Sequence, residues 1–191
     1  MTSRLQSKSF DELTPEQQAQ YKRIGKARAP RPDGQFGGPF DPWIRSSEVA
    51  QRAMSLGNFV WERTSIGRRI VELAIIVTGR AWRSNVEWVA HAKMAKNEGV
   101  SDGVIQAVFD QGEPPINAPD DEKLTIAVCR AIHETRDLPL PLYHASIECW
   151  GETGLMELIQ TIGFYSFVSM TLNVFNIPTA DGDPTPFPRD E

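Results

Sequence analysis

Glu87 and His91 stand four residues apart in Ser84-Asn85-Val86-Glu87-Trp88-Val89-Ala90-His91, so a helix would project both from one face. A carboxylate at that spacing can orient an imidazole and stabilise its protonated form, and imidazole titrates near neutrality. Upstream, Glu72 lies inside the apolar run Val71-Glu72-Leu73-Ala74-Ile75-Ile76-Val77. A carboxyl group buried there needs a compensating partner, and Arg68 or Arg69 is near enough in sequence to serve. Two carboxyl groups and one imidazole are the parts of a general acid–base site. Purely structural roles fit the same letters. Ser84-Asn85-Val86-Glu87 is also a helix-starting capping box, and Glu87 with His91 is also an ordinary surface pair.

Other side chains are candidates for binding rather than proton transfer. Arg80 and Arg83 flank the turn before Ser84 and could hold a substrate carboxylate with paired N–H donors, although solvated arginines have the same signature. Trp82 and Trp88 could wall a pocket or pack in a core or subunit contact. Tyr165, Ser169 and Asn173 share one face of a C-terminal helix and could line the same cavity, or be buried polar groups bonded within a bundle. Cys129, His133, His144 and Cys149 suggest zinc at first sight, but the Pro139–Pro141 connector gives no reason for them to converge, and no metal is expected. Lys22, Arg23, Lys26, Arg28 and Arg31 form a basic cluster that reads as a solvated arm.

These groups must be positioned by helices. The chain has 191 residues, 40% apolar and 24% charged, enough for one domain with a real core. Its formal net charge of −5 argues against a nucleic-acid or anionic-membrane partner. Two cysteines exclude a disulfide framework and a CxxC redox motif. No apolar leader is seen after Met1, and the apolar stretch Leu155–Phe175 is interrupted by Glu157, Gln160, Ser166, Ser169 and Asn173. A cytoplasmic protein is therefore expected.

Prolines are missing from Trp43 to Glu113 and from Leu142 to Ile177, as suits helical hairpins. Periodicity predicts helices over Pro15–Ile24 with Thr14 as N-cap, Ser47–Glu62, Ile66–Thr78 with Gly79 as stop, and Ser84–Asn97 ending at Gly99. Further helices are predicted over Ser101–Phe109, Asp120–Thr135, Leu142–Trp150 and Glu152–Asn176. Ala29–Trp43, rich in Pro and Gly, reads as an extended arm. The β-branched run Ala74–Thr78 is the one strand candidate, kept as helix because Ile66, Ile70, Leu73, Ala74 and Val77 continue one face.

The stretch from Glu72 to His91 resembles the carboxymuconolactone decarboxylase family, which shares its fold with alkylhydroperoxidase D (AhpD). Redox members of that superfamily carry Glu, then CxxC twelve residues on, then His four residues after the second Cys. Here the outer spacing is kept, but Ser84 and Glu87 occupy the thiol positions. With Gly38-Pro39-Phe40, Trp43 and Val168-Ser169-Met170-Thr171-Leu172-Asn173, the E-W-x-x-H form is similar to a longer, thiol-free branch, over about residues 39–178.

The resemblance implies an all-α, AhpD-like helical bundle that forms homo-oligomers (dimer, trimer or hexamer) with sites near subunit contacts. The expected division is 1–46 for the N-terminal helix and arm, 47–178 for the helical domain and 179–191 for a tail. It also implies a cofactor-free lyase or isomerase acting on a small carboxylated, unsaturated or lactone substrate, as in aromatic-compound catabolism. His91 would be the general acid–base, Glu87 its orienting or proton-sharing partner and Glu72 a second proton carrier. Arg80 or Arg83 would anchor an anion, with Ser84, Trp82, Trp88 and Asn173 as further substrate contacts. Two alternatives are kept: hydroperoxide reduction of the peroxiredoxin type through Cys129 or Cys149, disfavoured by the missing CxxC, and non-catalytic binding of a small ligand.

Overall fold

The computed structural model describes residues 3–180 and 182–188, and among these there is no strand. The helices are α1 (Pro15–Gly25), α2 (Phe40–Ile44), α3 (Ser47–Glu62), α4 (Arg68–Ala81), α5 (Asn85–Asn97), α6 (Asp102–Asp110), α7 (Asp120–Thr135) and α8 (Leu140–Val174). The all-α expectation holds.

At the centre is α4, whose residues from Ile70 to Gly79 are all buried. A helix apolar on every side must be surrounded, and α4 packs against α5, α7 and α8. Ala74–Thr78 is thus helix, with its β-branched side chains filling the core on all faces. Gly79 does not stop α4, which continues to Ala81. This glycine marks a close crossing instead: a Cβ there would lie 3.3 Å from the Cβ of Glu87 on α5. The chain turns at Arg83, in the left-handed region at φ 49°, and α5 runs back beside α4. Glu72 and the Glu87–His91 pair are brought together by this hairpin.

The capping box expected at Ser84 does not form. Ser84 is the N-cap, but its side chain makes no capping bond, and its buried Oγ has no partner among the described residues. Glu87 turns inward instead of reaching back to the helix start. Real capping boxes occur elsewhere, with Thr14 and Gln17 starting α1.

The expected arm Ala29–Trp43 is more structured than its composition suggests. Its last residues enter α2, where the Asp41 carboxylate accepts from the Phe36 and Gly37 amides at 2.9 and 2.7 Å. Pro42 is tolerated because it falls in the first helical turn. Leu13, Ile24, Phe36 and Ile44 form a small second core that pins the arm to the bundle. At the other end, the two expected C-terminal helices form one element, α8, broken at Gly151 (φ 68°, ψ 178°). By length and composition α8 could cross a membrane, but half of its most apolar window is buried inside the protein, as in a core helix. Beyond it, Phe187 docks between Trp88 and Phe109, while its backbone exchanges two hydrogen bonds with the Asn85 amide group.

Candidate acid–base site

The three predicted acid–base residues converge. His91 Nδ1 lies 2.7 Å from Glu72 Oε2, and its Nε2 lies 3.4 Å from Glu87 Oε2. Glu72 is completely buried, and its other oxygen pairs with Arg68 Nη2 at 2.5 Å. Arg68 is itself held over the Trp61 ring at 3.7 Å and donates to the Trp61 carbonyl. Arg69, the other possible partner, turns away to pair with Asp121 and Glu122.

The two carboxyl groups therefore differ in what they can do. Glu72 already receives Arg68, so it accepts from His91 and leaves the proton on Nδ1. That fixes the ring and turns Nε2 toward Glu87. At 3.4 Å the Nε2–Glu87 contact is longer than a charge-assisted hydrogen bond, and Glu87 Oε2 has no hydrogen-bond partner. Burial pushes the Glu87 pKa up, as does the charge of Glu72, against the opposing effect of His91. For His91, burial presses the pKa down, but the hydrogen bond to Glu72 and the charges of Glu87 and Glu72 outweigh it, so the value ends raised. Glu87 and His91 thus titrate as a coupled pair.

Glu87 and His91 open onto a cavity of about 520 Å³, within the size range of small-molecule sites. Its lining is mostly apolar and aromatic, including Trp43, Met54, Trp61, Phe164, Tyr165 and Val168. Arg28, Arg31 and Phe40 close it from the N-terminal side, and Pro178–Ala180 with Asp183 from the C-terminal side. Glu72 does not line the cavity and lies behind His91.

The candidate binding residues fare differently. Arg80 is not in this cavity: its Nε donates to the Phe109 carbonyl at 2.6 Å, and its guanidinium lies over the Phe187 ring. Arg83 donates to the Pro188 carbonyl at 2.7 Å. Trp88 packs on Phe109 and Phe187, and Ser84 is buried at the start of α5. Asn173 Nδ2 donates to the Trp82 carbonyl at 2.7 Å, which ties α8 to the turn before α5. None of these six residues lines the cavity.

The positive charge at the cavity comes instead from Arg28 and Arg31, part of the cluster read from sequence as a solvated arm. Their alternation with Pro and Gly carries no periodic signal, and only the packing of the arm reveals where they point. Tyr165 does reach the cavity, with its ring edge-on to His91 at 5.2 Å. Ser169 is buried and does not.

Neither thiol is in the cavity. Cys129 is fully buried, and burial drives its pKa far up; Cys149 is exposed, and its pKa is also raised, by burial and by Asp121 and Glu148. His133 meets Thr78 Oγ1 at 3.2 Å.

Residues 47–128 match the model of the carboxymuconolactone decarboxylase family. No curated protein matches the chain. Among solved structures, an alkylhydroperoxidase AhpD core, an uncharacterized peroxidase-related protein from Ralstonia eutropha JMP134, is similar with a TM-score of 0.74 at 11% identity, over 94% of this chain and 93% of that one. A protein of unknown function from Agrobacterium tumefaciens, described as a putative antioxidant defence protein AhpD, gives 0.61 at 16% identity over 72% of this chain and 94% of that one. The debrominase Bmp8, solved with 2,3,4-tribromopyrrole, gives 0.65 at 11% identity over 90% of this chain and 88% of that one. At such identities the likeness is one of fold. The segment carrying Glu72, Glu87 and His91 is thus a match to the carboxymuconolactone decarboxylase family, set in an AhpD-like all-α fold.

Proposed function

We propose that this protein is a proton-transfer catalyst, a lyase or isomerase that acts on a small unsaturated or lactone compound through its own side chains. The observation that carries the proposal is the opposed placement of Glu72 and Glu87 on the two nitrogens of His91. Glu72 orients the ring from behind, a role the sequence assigned to Glu87, and leaves Nε2 facing Glu87 within the cavity. When Nε2 is free it accepts a proton, and Glu87, whose pKa burial raises, donates one when protonated; the reverse assignment serves the return step. A substrate held in the cavity beside the pair can lose a C–H proton to one group and regain a proton elsewhere from the other. A carboxylate on the substrate, where present, would meet Arg28 or Arg31 at the mouth.

The thiol arrangement disfavours the hydroperoxide alternative. Peroxide reduction needs a thiolate, and the buried Cys129 thiol is held in its protonated form. Self-association is part of the same proposal. Met156, Ile159, Phe167, Met170 and Val174 leave an exposed apolar stripe along α8, which supports a second copy as its cover.

The test is solvent exchange. With cyclohex-2-enone in D2O as a neutral, enolisable probe, the protein should accelerate deuterium incorporation beside the carbonyl, read by NMR. His91→Ala should lower that rate by roughly 10²–10⁴-fold, the usual worth of a positioned acid–base group. Equal rates for the two proteins would overturn the proposal.

A further inference from the structure

The substrate side of the reaction needs a group that the Glu72–His91–Glu87 arrangement does not provide. Taking a proton from carbon next to a carbonyl breaks the C–H bond. The electron pair moves into a new C=C bond, and the negative charge settles on the carbonyl oxygen. Against the apolar side chains of Phe164, Trp43 and Val168 that charge is poorly solvated. A neutral hydrogen-bond donor close to the base would resolve this.

We infer that Tyr165 is that donor: its hydroxyl binds the carbonyl oxygen of an enolisable ketone, ester or lactone while His91 and Glu87 move the proton. The inference rests on the proton-transfer reading above. Tyr165 projects from α8 into the cavity beside His91, with ring centroids 5.2 Å apart and the planes at 78°. The residue is 7% exposed, yet its hydroxyl makes no hydrogen bond to any described residue. A cavity-lining phenol with no protein partner has its donor free for a ligand oxygen. Burial, and then the charges of Glu87 and Glu72, hold its pKa well above the ordinary value, so the hydroxyl keeps its proton and is present as a donor. The cavity thus presents a donor from Tyr165 and proton-active groups from Glu87 and His91, the complement of a carbonyl with an acidic neighbouring C–H.

The experiment uses cyclohex-2-enone labelled with ¹³C at the carbonyl, bound to the full chain, with difference infrared spectroscopy reading the C=O stretch. In the wild type the bound stretch lies below its position in apolar solvent, and Y165F moves it back up. Protein containing 3-fluorotyrosine, a more acidic phenol, moves it further down. Deuterium exchange by Y165F falls about 10²-fold in kcat, the usual loss of one oxyanion donor, with a smaller change in KM. The same bound stretch in wild type and Y165F overturns the inference, as does the absence of a bound carbonyl band in the wild type. A stretch that depends on Tyr165, together with exchange that is indifferent to His91→Ala, leaves Tyr165 as the carbonyl donor and removes the proton-transfer reading instead.

Discussion

Replacing Glu72 by Gln is the sharpest probe of the site, because the shape stays and only the charge goes. Glu72 is wholly buried between two donors, the Arg68 guanidinium at 2.5 Å and the His91 imidazole at 2.7 Å. Removing one member of a buried ion pair costs about 3–5 kcal/mol when the survivor is left dry. Arg68 is not left dry: its side chain is 23% exposed, and it keeps the Trp61 ring and carbonyl. The glutamine oxygen also still accepts one hydrogen bond. A loss of about 2–3 kcal/mol is therefore expected, less than the full buried-pair cost. For a chain of this size, that lowers Tm by roughly 4–12 °C.

His91 supplies the independent readout. Its bond to Glu72 is the largest influence raising its pKa, so E72Q should move the His91 titration downward in an NMR pH series. The glutamine N–H can also donate to Nδ1 and place the imidazole proton on Nε2. That tautomer error costs on the order of 10⁴ in kcat where a comparable carboxylate is neutralised. An E72Q protein with unchanged Tm and an unmoved His91 titration would refute the orienting role of Glu72.

Two further outcomes follow from the same geometry. Glu87 and His91 both hold protons more tightly folded than unfolded, so the folded state binds the extra protons and stability falls as pH rises. Their contribution is complete below the ordinary carboxylate value and is lost as pH climbs through the raised folded values. Urea midpoints of wild type and E87Q at about pH 5 and about pH 8 should show a shallower decline in the variant, and identical slopes would contradict the shared-proton pair. For the thiols, Cys149 should react with a maleimide in the native protein and Cys129 only after denaturation. Two fast native thiols, or peroxide-driven pairing of Cys129 with Cys149, would revive the hydroperoxide alternative.

Sequence periodicity reached most of the helices because their apolar faces are repeated signals: Ser47–Glu62 and Asp120–Thr135 appear with the predicted bounds. It failed where one residue has two uses. Gly79 has the composition of a stop, but it serves a close crossing inside α4. Ser84 and Glu87 spell a cap, but the burial of Glu87 beside His91 overrides it. Glu72, Glu87 and His91 were legible because a carboxyl in an apolar run and a Glu–His pair on one helix face are conspicuous in one dimension. The cavity was not. Arg28 and Arg31 reach it through the folding of an irregular arm onto Ile24, Phe36 and Ile44, and no period announces such a path. Arg80 and Arg83 were drawn into the argument by nearness in sequence, yet α4 and its turn carry them to the opposite side of the α5 start, against Phe109 and Pro188.

The cavity also separates two kinds of evolutionary freedom. The proposed acid–base residues, Glu72, Glu87 and His91, all lie within the family-matched segment 47–128. Much of the wall lies outside it: Arg28, Arg31, Phe40 and Trp43 come before, and Phe164, Tyr165 and Pro178 after. Drift in those flanks would change the size, charge and donor pattern presented to a ligand while leaving the acid–base hairpin intact. Such a division would let the acid–base hairpin stay fixed while the ligand it serves changes with the flanks.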